Sequence, residues 1–130
     1  MPDVTAPRRP AVLLLEDEAQ LRSVICDSLA DTFEVEAAAN AEEALLLLAS
    51  RRFDVLLCDQ MLPGRKQGID FLVESMQHQP AAKRILITGY INPELLSRSV
   101  ALAGLSACLL KPVGMADLRQ TLHTTLGLVS

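Results

Sequence analysis

Short apolar runs alternate with amphipathic stretches along the chain. The run AVLLL at 11–15 is too short for a helix and is typical of a strand buried on both faces. In 33–38, Glu34 and Glu36 alternate with apolar residues, a pattern that suits an edge strand. Together these patterns predict five strands, at 11–15, 33–38, 53–58, 84–88 and 107–110.

Amphipathic stretches between the strands predict five helices, because their apolar residues recur at helical spacing. Asn40 and Glu43 are typical of an N-cap and its capping-box partner. Asn92 followed by Pro93 predicts another helix start. The predicted helices cover 19–30, the stretch that follows Asn40, 69–79, 93–103 and 115–126.

We number these strands β1 to β5 and these helices α1 to α5 in chain order. Strands that alternate with helices predict a doubly wound α/β fold, with a parallel sheet covered on both faces. We expect one domain at 11–126, preceded by a flexible tail or linker at 1–10 and followed by a short tail at 127–130.

Composition narrows the possible functions. The chain has 12 Lys and Arg against 16 Asp and Glu, a net charge of −4 that argues against direct nucleic-acid binding through phosphates. No apolar run approaches the roughly 20 residues of a membrane span, and no secretory signal is present. The three cysteines are widely spaced, which excludes a zinc motif and favours reduced thiols in a cytoplasmic protein.

Polar residues follow four of the five predicted strands. Glu16 and Asp17 follow β1, Asp59 follows β3, Thr88 follows β4 and Lys111 follows β5. In a doubly wound sheet, ligands bind beyond the carboxyl ends of the strands. We therefore expect three carboxylates, a hydroxyl and an ammonium group to converge on one edge.

Three carboxylates held close together repel one another unless a cation joins them. Mg²⁺ prefers carboxylate oxygens and water, and it leaves room for phosphate oxygens that Lys111 and Thr88 could also contact. A carboxylate beside Mg²⁺ and a lysine can act as a nucleophile towards a phosphoryl group. The pattern therefore indicates phosphoryl chemistry with Mg²⁺ as the cofactor.

Four motifs carry a resemblance that covers about residues 11–126. They are LLLEDE (13–18), DVLLCDQMLPG (54–64), ILITG (85–89) and LLKP (109–112). In order and spacing, the chain resembles the receiver domain of two-component response regulators, in the CheY-like superfamily. The resemblance implies a flavodoxin-like (βα)5 fold with strand order 2-1-3-4-5.

The resemblance also implies a role for each site residue. Asp59 is then the phosphoacceptor, Thr88 the switch hydroxyl, and Lys111 the partner of Asp59 or its phosphate. The Mg²⁺ ligands are then Glu16, Asp17, Asp59 and the backbone carbonyl of Met61, and the Lys111–Pro112 bond is cis.

As a function, the resemblance implies a phosphorylation-dependent signalling switch rather than an enzyme. A sensor histidine kinase or phosphotransfer protein would phosphorylate Asp59, and the face formed by α4, β5 and α5 would rearrange. That face would then pair in a homodimer or contact an effector domain, without a membrane or direct nucleic-acid contact.

The sequence departs from the family pattern at three positions. Cys108 stands where receivers commonly have Tyr or Phe, so the usual aromatic rotamer switch cannot operate there. The loop PGRKQG (63–68) is one residue longer than the common form, and Glu16 replaces an aspartate. CDQMLPG together with ITGY resembles receivers of hydrogenase-type transcriptional regulators and of some hybrid kinases.

Other interpretations remain open. Each site residue alone has a structural explanation, as a helix cap, a turn residue or a strand end, and only their joint placement favours one site. A phosphatase would need a second aspartate where Met61 stands. A flavin or nucleotide binder at this edge would need a glycine-rich loop where this chain is acidic. A phosphorylation-independent pseudo-receiver that acts as an interaction scaffold is the main alternative.

Three further residues invite a functional question. Tyr90 lies two residues after Thr88, where it either anchors the loop before α4 or, together with Met61, shields the phosphoryl group from water. We expect His78 and His123 to be surface residues and not phosphodonors.

Overall fold

The structure is a computed structural model that describes residues 8–90 and 92–128. Five strands and five helices alternate along the chain. Their bounds are β1 Ala11–Leu15, α1 Ala19–Leu29, β2 Glu34–Ala38, α2 Ala41–Ser50, β3 Val55–Asp59, α3 Gly68–His78, β4 Lys83–Thr88, α4 Pro93–Ala103, β5 Ala107–Leu110 and α5 Met115–Leu126. The predicted tails at 1–10 and 127–130 fall partly outside the described residues and stay predictions.

The five strands form one parallel sheet in the order β2-β1-β3-β4-β5. This arrangement confirms the predicted flavodoxin-like topology and places β2 at an edge. There Arg51 lies 3.0 Å from Glu34 and 3.6 Å from Glu36. The alternating glutamates of β2 therefore reflect its edge position, as predicted.

Two apolar layers cover the sheet, and β1 contributes alternate residues to each. Leu13 and Leu15 join the layer under α2 and α3, whereas Val12 and Leu14 join the layer under α1 and α5. All five residues of β1 are buried, which explains why its sequence has no polar position. Both layers are mainly aliphatic and include the buried rings of Phe33, Phe53 and Phe71.

The predicted helix starts are confirmed at two caps. The Asn40 side chain accepts a hydrogen bond from the Glu43 amide at 2.9 Å, and the Glu43 carboxylate accepts one from the Ala39 amide at 3.0 Å. The Asn92 side chain accepts from the Glu94 amide at 2.9 Å. Local side-chain chemistry therefore sets where α2 and α4 begin.

A buried arginine, which the sequence pattern does not predict, closes the carboxyl end of α3. Arg84 is 2% exposed and donates to Ser75 Oγ at 2.8 Å, Ala82 O at 2.7 Å and Gln79 O at 2.6 Å. Burial lowers the pKa of Arg84. Its neutral acceptors at a helix end offset part of the cost of burying a cation.

His123, which was expected at the surface, is partly buried. The ring of His123 meets Phe33 edge-on, with centroids 5.8 Å apart, and its Nδ1 is buried without a hydrogen-bond partner among the described residues. The prediction that His123 is a surface residue is therefore wrong, because α5 turns this ring towards the layer it shares with α1. His78 is exposed, as predicted.

Candidate functional site

The polar residues that follow the strands meet at the carboxyl edge of the sheet. Glu16, Asp17 and Asp59 each offer a carboxylate oxygen, and these oxygens all lie within 4.8 Å of one another. Lys111 Nζ lies 2.9 Å from Asp59 Oδ2 and 3.8 Å from Glu16 Oε1. The structure thus brings together four of the five groups expected at this edge, and their roles stay predictions.

The sheet itself holds two of these carboxylates in place. Glu16 follows the buried strand β1 and is 3% exposed, and Asp59 is the last residue of β3 and 4% exposed. The Glu16 amide donates to Ala38 O at 3.1 Å, and Glu16 Oε2 accepts the Glu18 amide at 3.0 Å. Asp17 is exposed, so one carboxylate of the three faces solvent.

Burial governs the electrostatics of this cluster. Burial raises the pKa of Glu16 above its ordinary value, the Glu18 amide opposes the rise, and the negative charge of Asp59 adds to it. Burial acts to lower the pKa of Lys111, but the hydrogen bond and charge of Asp59 and the charge of Glu16 outweigh it, and the pKa is raised. The ammonium group is therefore held charged beside Asp59.

These residues fit a hard divalent cation. Two of the three carboxylates are almost fully buried, and Lys111 is their one close cation among the described residues. Oxygen donors at this mutual distance are the ligand set that Mg²⁺ takes, with waters filling the remaining positions. The acidic cluster thus has the chemistry of a magnesium site.

Thr88 lies on the neighbouring strand but turns towards its own loop. It is 7% exposed, and its Oγ1 donates to Tyr90 O at 3.0 Å and accepts from Tyr90 N at 3.3 Å. The side chains of Tyr90 and Met61 are 72% and 70% exposed. Met61 follows β3, which ends at Asp59, and Tyr90 follows the neighbouring strand β4.

The carboxyl edge also depends on Gly68, the last residue of the loop PGRKQG and the first residue of α3. A Cβ atom at Gly68 would lie 2.3 Å from Asp59 O and 2.8 Å from Gln60 Cα. The Gly68 amide donates to Gln60 O at 2.9 Å, and the Ile69 amide donates to Gln60 Oε1 at 2.9 Å. Close backbone packing therefore fixes α3 against the backbone of Asp59.

At the remaining predicted positions, the Lys111–Pro112 peptide bond is cis. Cys108 is half-buried in β5, against the layer that α2 and α3 cover. All three cysteines are free thiols, and burial raises the pKa of Cys58, next to Asp59, well above its ordinary value. No helix among residues 8–90 and 92–128 is long and apolar enough to cross a membrane.

The five-stranded sheet, with an acidic cluster and a lysine at its carboxyl edge, places the chain among doubly wound α/β proteins, which bind their ligands at that edge. Within that class, the chain belongs to the response regulator receiver domain family, whose profile matches residues 12–123. This is a signalling domain of two-component systems rather than an enzyme family.

Curated relatives agree with this assignment. The hydrogenase transcriptional regulatory protein HoxA of Cupriavidus necator is 34% identical over 105 residues, which cover 81% of this chain and 22% of HoxA. The response regulator protein PilR of Pseudomonas aeruginosa is 31% identical over 121 residues, 92% of this chain and 27% of PilR. The chain thus spans about a quarter of the length of these relatives.

Solved structures share the fold over nearly the same extent. The signal receiver domain of an HD domain-containing protein from Pseudomonas fluorescens superposes with a TM-score of 0.85 and 28% identity, covering 92% of this chain and 96% of that one. A CheY-like receiver domain protein from Methanospirillum hungatei gives 0.85 and 29%, covering 92% and 95%.

Proposed function

We propose that this chain is a phosphorylation-dependent switch in which Asp59 accepts a phosphoryl group from a sensor histidine kinase or a phosphotransfer protein. The observation that carries the proposal is the contact of 2.9 Å between Lys111 Nζ and Asp59 Oδ2 beside two further carboxylates. An aspartate in that setting is oriented by the sheet and lies next to the positive charge of Lys111.

In the proposed step, a carboxylate oxygen of Asp59 attacks the phosphorus atom of the donor. The bond between phosphorus and the donor's nitrogen or oxygen breaks, and the donor group leaves with that electron pair. Lys111 stabilises the negative charge on the phosphoryl oxygens. Mg²⁺, held by Glu16, Asp17, Asp59 and the backbone carbonyl of Met61, would neutralise charge on the transferred group.

The hydroxyl of Thr88 is the proposed moving part. Its present partners are the backbone groups of Tyr90, so contact with a phosphoryl group on Asp59 requires it to release the Tyr90 carbonyl. That release would move the loop between β4 and α4, and with it the face formed by α4, β5 and α5. We assign the output, a homodimer or a contact with an effector domain, to this face.

Cys108 changes how such a movement would spread. A thiol lacks the ring that switches rotamers at this position in many receivers, and here it packs against the aliphatic layer under α2 and α3. We infer that coupling in this chain runs mainly through the Thr88–Tyr90 loop.

Treatment with acetyl phosphate, read by intact mass with and without Mg²⁺, tests the proposal. The wild-type chain should gain the mass of one phosphoryl group only when Mg²⁺ is present, and Asp59→Asn should gain none. Asp27→Asn is the matched control, because it removes an exposed carboxylate on α1 and should keep the adduct. A folded wild-type chain without an adduct would instead support the phosphorylation-independent scaffold.

A further inference from the structure

A second cluster of charged side chains lies at the amino edge of the sheet, at the opposite end from Asp59. A cavity of about 570 Å³ opens there between the segment before β1, the starts of β3 and β4, and the end of α5. The five residues of β3 separate the two sites by about 16 Å, at roughly 3.3 Å per residue. The charged residues that line the cavity are Arg8, Arg9, Arg52, Lys83 and Asp54.

The sheet provides a rigid frame for this cavity. Asp54 Oδ2 accepts the Ala11 amide at 2.7 Å, and the Asp54 amide donates to Ala11 O at 2.9 Å. The Lys83 amide donates to Asp54 O at 2.9 Å. Three strands are therefore tied together around Asp54, and its carboxylate anchors β1 within the cluster of cations.

Two of the four cations in the cavity have no anionic partner among the described residues 8–90 and 92–128. Arg9 Nη1 donates to Ala30 O at 2.6 Å, at the carboxyl end of α1. The positive charges of Arg8 and Arg9 act on the Glu34 carboxylate and help to lower its pKa. The side chains of Arg52 and Lys83 make no hydrogen bond or ion pair with any residue in these ranges. In a chain of net charge −4, a cavity with four cations and one carboxylate is a local reversal of charge.

The shape and chemistry of the cavity favour a compact, multiply charged ligand. Guanidinium groups match phosphate oxygens with paired hydrogen bonds, and three arginines reach one cavity here. Apolar residues, including Pro10 and Phe53, contribute the rest of the lining, and the volume lies within the range of small-molecule sites. An extended acidic peptide would instead need cations spread along a groove.

We propose that this cavity binds a small molecule with adjacent phosphate groups, of the pyrophosphate or nucleoside diphosphate class. The carboxyl ends of helices also face this edge, and their partial negative charge opposes an anion. Binding therefore depends mainly on Arg52 and Lys83, whose charges have no partner among the described residues.

Calorimetric titration of pyrophosphate and of ADP into the Asp59→Asn chain tests this proposal. EDTA keeps Mg²⁺ away, so the result does not depend on the proposed phosphorylation. The double variant Arg52→Gln, Lys83→Gln should lower the affinity for both ligands at least about tenfold, because each charge-assisted contact contributes about that factor. Adenosine, which has no phosphate, should bind far more weakly than ADP.

Arg98→Gln is the matched control, because it removes the same charge from an exposed position on α4 and should change affinity less than about twofold. Equal weakening by Arg98→Gln would overturn the site in favour of a general charge effect. Absence of binding at millimolar pyrophosphate would also overturn it. Tighter binding of an oligoglutamate peptide than of ADP would reassign the cavity to protein docking.

Discussion

Replacement of Gly68 by alanine tests how closely α3 fixes the backbone of the phosphoacceptor. The new Cβ atom would lie 2.3 Å from Asp59 O and 2.8 Å from Gln60 Cα, far inside normal contact distances. Both atoms belong to the backbone, so they cannot move aside as the end of a flexible side chain could. The first turn of α3 and the end of β3 would have to separate.

The separation has a cost that follows from the contacts around Gly68. It stretches the hydrogen bonds from the Gly68 and Ile69 amides to Gln60, both 2.9 Å long, at about 1 kcal/mol each. Residual crowding adds about 1–3 kcal/mol. The higher helix propensity of alanine offsets up to about 1 kcal/mol of this loss in stability. We expect Gly68→Ala to lower the free energy of unfolding by about 2–4 kcal/mol.

Urea denaturation measures this loss, with Gly89→Ala as the control. Nothing lies within 4 Å of a Cβ atom built at Gly89, so that variant should unfold like the wild type. Under conditions where Gly68→Ala is folded, its phosphorylation by acetyl phosphate should slow at least about tenfold, because a small shift of Asp59 relative to Lys111 spoils the reacting geometry.

Two results would refute this reasoning. If Gly68→Ala unfolds within about 0.5 kcal/mol of the wild type, the close packing on Asp59 does not constrain the chain. If Gly68→Ala is destabilised but is phosphorylated at the wild-type rate, Gly68 supports the fold without positioning the Asp59 carboxylate.

Further predictions concern single side chains. Arg84→Met should lower the free energy of unfolding by about 2–4 kcal/mol in urea, because buried carbonyls lose their donor; equal stability would show that the guanidinium group is dispensable. Asn40→Ala should lower the free energy of unfolding by about 1 kcal/mol in the same assay, because α2 loses its N-cap. The raised pKa of Cys58 means that its thiol stays neutral in the folded chain and ionises in the unfolded one, so stability falls as pH rises above the ordinary value of 9.0. One pH unit above that value, this linkage costs about 1.4 kcal/mol, and Cys58→Ala should show a flatter alkaline loss of stability. Tyr90→Ala should shorten the lifetime of phosphorylated Asp59 in a mass-based decay assay, and an unchanged decay rate would exclude shielding by Tyr90.

Most of the fold follows from local patterns. A buried strand such as 11–15 and a capped helix after Asn40 have short-range signals, and both are confirmed by the structure. The start of β3 is less local. The sequence pattern predicts that β3 starts at Phe53, but the strand starts at Val55. The Phe53 amide donates to the Gln79 side chain at 2.8 Å instead of to a neighbouring strand.

The candidate site was predictable because each of its residues follows a strand, and parallel strands end at the same edge. Gly68, Arg84 and His123 were not predictable in this way. The role of each depends on a partner that only the folded chain supplies: the Asp59 backbone, the end of α3 and the Phe33 ring. Sequence spacing carries no signal for such contacts.

The placement of Tyr90 has a practical consequence for spectroscopy. The chain has one tyrosine and no tryptophan, and that tyrosine is bonded through its backbone to the hydroxyl of Thr88. Its ring is exposed, at the loop proposed to move. Tyrosine fluorescence of this protein therefore comes from a single ring next to Thr88, and the proposed movement of this loop should be visible in that signal without attaching a dye.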